Sequence, residues 1–166
     1  MNGEGERTIE ARVWRLALDG RTDTPVVILQ ELAGKRVLPI WIGRSEARAI
    51  AMELAGQRFQ RPLTHDLMKT VIDGLGGTVR RIVITDLKEN TFFAKLFIEK
   101  GEEIIGIDAR PSDSIALALK AKAPVFVSEE LLREPTVEEL TEDERAEALR
   151  RYLDEMNPED FGKFPL

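Results

Sequence analysis

Apolar and polar positions repeat with two different periods along this chain, and the changes of period mark its elements. Residues 10–18 alternate, with Val13, Arg15 and Ala17 on one side and Trp14, Leu16 and Leu18 on the other, which predicts a strand. Turn-forming residues fill 20–25, and the apolar run 26–32, a turn at Gly34-Lys35 and a third strand at 37–42 follow. From Ser45 the spacing becomes helical, with Ala47, Ile50, Ala51 and Leu54 on one face and Gly56 as the stop. A second helix is predicted over 64–75, with Thr64 as its N-cap, an apolar stripe of Leu67, Met68, Val71, Ile72 and Leu75, and Gly76-Gly77 ending it.

The pattern then starts again. Strands are predicted at 78–85, 91–98 and 103–108, with turns at Glu89-Asn90 and Gly101, and a helix runs from Pro111 to Lys122. A short extra strand is expected at 125–127, and an acidic helix over 136–156 with a thin seam of Leu140, Leu149 and Leu153. Two passages therefore read strand, strand, strand, helix. A shift of 65 residues superposes them, setting Ile42 on Ile107, Ile50 on Ile115, Ala51 on Ala116 and Leu54 on Leu119. The expected architecture is an α+β fold with an internal duplication (about 10–56 and 77–122), a mostly antiparallel sheet in each half and helices on one face. One domain over 1–133 would be followed by an acidic helical tail over 134–166.

Composition changes this picture in three ways. A charged fraction of 33% beside a hydrophobic fraction of 43% is that of a folded, well-solvated globule, with no run long enough to span a membrane. The net charge of −6 belongs to the tail, because 134–166 carries eleven acids and four bases while the rest is nearly balanced. The absence of cysteine removes disulfides and thiolate zinc sites, and one histidine rules out a multi-histidine metal centre. Residues 1–7 lack the basic-then-apolar order of a signal peptide, so a cytoplasmic protein is expected.

Three strings could carry chemistry. Asp108, Arg110, Ser112 and Asp113 lie where a strand gives way to a helix. The two aspartates straddle a turn, so both could face one cation, with Arg110 beside a phosphate. Arg61, Thr64, His65 and Asp66 sit at the start of the 64–75 helix, where the positive helix end favours a neutral imidazole, as a general base or a buried hydrogen-bonded ring requires. Arg44, Glu46 and Arg48 form the first copy's counterpart of the 108–113 turn; the shift sets Arg48 on Asp113, so the two would pair if the helix starts meet. Helix capping alone would also explain much of this chemistry. Phosphate-binding glycine loops, dinucleotide fingerprints and HExxH are absent.

The strings Leu38-Pro39-Ile40-Trp41-Ile42-Gly43, Arg61-Pro62-Leu63-Thr64-His65-Asp66-Leu67, Thr91-Phe92-Phe93-Ala94 and Asp108 to Ala118 occur in one order, and together they resemble the bifunctional nuclease domain family over about residues 10–132. The resemblance implies an α+β domain that degrades DNA and RNA, with nucleic acid as partner. On that reading Asp108 and Asp113, with Asp66 or Glu46, would hold Mg²⁺ or Mn²⁺. Arg61, Arg110 and Ser112 would bind the phosphate, and His65 would position or deprotonate water. The competing expectation is a non-enzymatic oligomeric binding or regulatory module, in which the same residues brace the halves and the tail helix packs on a neighbouring subunit. A homo-oligomer is expected on either reading, with a dimer favoured.

Overall fold

The computed structural model describes residues 6–141. Strands β1 (Thr8–Leu18), β2 (Pro25–Glu31) and β3 (Val37–Trp41) form an antiparallel meander. Helices α1 (Arg44–Leu54) and α2 (Thr64–Gly74) follow. A second antiparallel meander comprises β4 (Thr78–Lys88), β5 (Thr91–Lys100) and β6 (Glu103–Ala109). Then come α3 (Pro111–Ala121), β7 (Val125–Ser128), a 3₁₀ turn at Glu129–Leu131 and α4 (Val137–Thr141). The tail helix expected over 136–156 lies mostly outside the described residues.

Both meanders belong to one seven-stranded sheet, ordered β3-β2-β1-β7-β4-β5-β6. The sheet is mixed: β7 runs antiparallel to β1 and parallel to β4. The strands of each half pair antiparallel as expected, but the halves share one sheet, and its β4–β7 pair is parallel. The cause is α3, a helical crossover that carries the chain back from the β6 edge so that β7 enters beside β4 in the same direction. Val125 and Val127 are buried in β7, as a central strand demands.

The core lies between one face of the sheet and the adjacent helices α1 and α3. Val27, Leu29, Ile40, Ile82 and Ile84 from the strands close on Ile50 and Ile115 from the helices, all fully buried. Strand alternation keeps this face apolar: in β5 Ala94 and Leu96 are buried, while Lys95 between them is exposed. The 65-residue shift finds Ile50 and Ile115 in equivalent buried places, but it pairs buried Ile42 with Ile107, which is 40% exposed. The two halves are thus finished differently at their outer edges.

Two local readings are also corrected. The α2 stripe is not a core face: only Ile72 packs on the core, and Leu67, Met68, Val71 and Leu75 are exposed. The N-cap of α2 is Leu63, with Thr64 the first helical residue, and its backbone N–H donates to Asp66 Oδ2 at 2.8 Å. That contact is the returning half of a capping box; leucine has no acceptor to supply the other half.

Candidate active site at three helix starts

The first turns of α1, α2 and α3 each bring one polar residue to a shared chain of contacts: Glu46, His65 and Asp113. Asp113 lies at the centre. Its Oδ1 is 3.0 Å from His65 Nε2, and its Oδ2 accepts from Arg110 Nε at 2.8 Å. Arg110, the N-cap residue of α3, reaches on to Glu46, with Nη1 3.3 Å from Oε1. Glu46 in turn folds back over Gly43, where a Cβ would stand 2.0 Å from Oε2, so the glycine leaves room for the carboxylate. Across the two copies, the contact is that between Arg110 and Glu46. Asp113 itself is occupied by Arg110 and His65.

A second group adjoins the first. Lys120 on α3 forms ion pairs with Glu53 on α1 and with Asp66 on α2. His65, Asp66 and Lys120 also wall a cleft completed by Met52, Phe59 and Leu63. Sequence reasoning missed Glu53 and Lys120. Lys120 interrupts an apolar run on α3, which signals a special position, but nothing local identifies its partners.

The electrostatics follow from these pairs. Burial pushes the Asp113 carboxyl up, but the hydrogen bonds from Arg110 and His65 outweigh it and hold the group below the usual carboxylate range. Asp66 follows the same logic: burial opposes ionisation, and Lys120 with the Leu63 amide wins. Lys120 is pushed down by burial but raised on balance by Asp66 and Glu53. Arg110 is raised, chiefly by its hydrogen bond to Asp113. The first turns of three helices add partial positive charge that offsets the carboxylates.

Not every sequence candidate is in this cluster. Ser112 is buried in the first turn of α3, 7% exposed. Arg61 is exposed in the connection between α1 and α2. Asp108 is on the other side of the sheet. It pairs in register with Lys95, whose neighbours Ala94 and Leu96 face the helices, so Asp108 points away from them.

This placement bears on the expected Mg²⁺ or Mn²⁺. Asp108 and Asp113 stand on opposite faces of the sheet, and both oxygens of Asp113 already contact donors, one of them a guanidinium that repels a cation. Among the described residues no three His, Asp or Glu side chains are grouped to hold a metal ion. The arrangement as folded does not fit the shared ion that the sequence suggested. It does fit an imidazole oriented by a carboxylate, with Nε2 held by Asp113.

Comparison with known proteins agrees with the strings read from the sequence. Residues 27–139 match the family model described as the bifunctional nuclease domain. An uncharacterized protein of Mycobacterium tuberculosis (strain H37Rv) is 40% identical over 92% of this chain and 97% of its own length. Bifunctional nuclease 1 of Oryza sativa subsp. japonica is 28% identical over 70% of this chain and 36% of its own length. Bifunctional nuclease 1 of Arabidopsis thaliana is 28% identical over 64% of this chain, and that match spans 34% of the plant protein. With the domain matched over most of its length, the chain belongs to the bifunctional nuclease domain family.

Proposed function

We propose that the protein is a nuclease that hydrolyses phosphodiester bonds of DNA or RNA, with the His65–Asp113 pair as its proton-transfer unit. The observation that carries this reading is the 3.0 Å contact between His65 Nε2 and Asp113, which fixes the imidazole and leaves Nδ1 to accept a proton from water. The water oxygen forms a bond to phosphorus as the P–O ester bond breaks, and His65 takes the proton that the water releases. The departing oxygen leaves with the bonding pair and is protonated from solvent, and His65 gives its proton back to solvent. Arg110, steadied by Asp113 and Glu46, offers a guanidinium to the phosphate, and exposed Arg61 adds a second cation on the approach from α2. Glu46 and Asp113 act as positioning residues. Glu46, Asp66 and Asp113 are engaged by Arg110, Lys120 and His65, so in this mechanism the imidazole and the guanidinium groups carry the chemistry. The two βββα passages are read as products of one duplicated unit, with the site assembled where their helices meet.

A second reading is favoured by one specific observation: Glu46, Glu53, Asp66 and Asp113 are all engaged by basic partners. A non-enzymatic binding or regulatory module would use the same network as a brace. The discriminating experiment incubates highly purified protein with labelled single-stranded DNA and RNA oligonucleotides, in Mg²⁺, in Mn²⁺ and in EDTA. The nuclease reading expects cleavage that falls at least about 100-fold in His65→Ala, the size of a general-base contribution. Cleavage equal in wild type and His65→Ala would overturn the His65 assignment and point to another site or a contaminant, whereas no cleavage under any condition would leave the module as the better account.

A further inference from the structure

The sheet has two edges, and they are finished in opposite ways. At the β3 edge, the Val37 N–H donates to the Arg133 carbonyl at 2.7 Å and the Arg133 N–H returns to Val37 at 3.0 Å. Strand alternation then turns residue 39 to the same outer side, and Pro39 has no N–H to offer. Val37, Leu38 and Ile40 are buried. That edge is closed.

The β6 edge has none of these protections. Its seven residues pair with β5 in unbroken register, without bulge, proline or lysine. No described strand pairs with its other side. Ile104 is 64% exposed, and Ile105 and Ile107 are 42% and 40% exposed. A regular apolar strand of this kind is a template for another strand.

We propose that β6 is a docking surface for a second copy of this chain, joined strand to strand across a two-fold axis at Gly106. The sequence of the strand is self-complementary in that register. Ile105 lies opposite the partner's Ile107 on the helix-bearing face, making a cluster of four isoleucines. Ile104 lies opposite the partner's Asp108, and Glu103 opposite the partner's Ala109, so no like charges face each other. An axis at Ile105 would instead set Glu102 against the partner's Asp108, and an axis at Ile107 would set Glu103 against the partner's Pro111. A strand of seven residues is about 23 Å long and supplies only part of the roughly 800 Å² per partner that a stable dimer needs. The apolar row Leu67, Val71 and Leu75 on α2 supplies more on the same side of the sheet. There Ile72 and Ile98, the latter opposite Ile105, close on Gly77.

The full chain in size-exclusion chromatography with light scattering should run at twice its 18.7 kDa mass. Ile105→Lys with Ile107→Lys, at positions already half-exposed, should give a folded monomer by circular dichroism and scattering. Because the chain lacks cysteine, Gly106→Cys should form a single intermolecular disulfide on mild oxidation, a readout independent of the lysine variant's folding. A monomeric wild type, a dimer that survives both lysines, or failure of Gly106→Cys to cross-link would overturn the proposal. Nuclease assays on the monomeric variant report separately on the active site.

Discussion

At the scale of single residues, the site is made by side chains that hold one another. Gly43 is small so that the Glu46 carboxylate can fold against the backbone, and Glu46 reaches Arg110. Gly43→Ala should push that carboxylate aside and weaken its hold on Arg110, lowering kcat/KM several-fold while thermal stability changes by less than about 1 kcal/mol. Steady-state kinetics and thermal melts of the same sample read both. The charged pairs also set a pH window. Asp113 and Asp66 titrate below their unfolded values, so their stabilisation is present above about pH 3.9 and lost as pH falls through the lowered folded pKa. Lys120 is raised, so its contribution is complete below about pH 10.4 and disappears as pH rises through the folded value. The contribution of these three groups to stability should be constant between these limits. In Lys120→Met the alkaline decline should become shallower.

At the scale of elements, α2 stands apart. It has no fully buried residue, and it is joined to its neighbours by Ile72, by His65–Asp113 and by Asp66–Lys120. By contrast, α1 and α3 contribute Ile50, Ile115 and Leu117 to the core. Ile115→Ala should therefore destabilise the whole protein by about 2–5 kcal/mol, read as a shift of the denaturant midpoint. Lys120→Met should instead loosen α2 alone, so that α2 amides exchange faster with solvent while those of β4 and β5 keep their protection. Uniform loss of protection would contradict this division.

The same contrast shows what could be read from sequence. Every strand and helix of the two meanders was visible because each has its own period. The α2 stripe misled because Leu67, Val71 and Leu75 recur at helical spacing, whether they meet a core or solvent. The central place of β7 was hidden because four residues carry no record of the strands beside them. Asp108 and Asp113 are close in sequence, yet strand alternation sends one to each face of the sheet, and turn spacing alone does not reveal this. His65 and Asp113 are 48 positions apart, and only the packing of α2 on α3 brings them together.

At the scale of the whole molecule, a sheet closed at β3, and unpaired at β6 among the described residues, carries three helices whose starts are linked through Asp113 and Arg110. Family membership supports a nuclease, and the proposed mechanism gives the work to His65 and Asp113 acting together. If they form one unit, removing either should cost nearly as much as removing both. The direct test compares kcat/KM for cleavage of a single-stranded oligonucleotide by wild type, His65→Ala, Asp113→Asn and the double variant. The account predicts that each single variant loses at least about 100-fold and that the double variant is no worse than His65→Ala. Independent, multiplying losses, or full activity in Asp113→Asn, would contradict it.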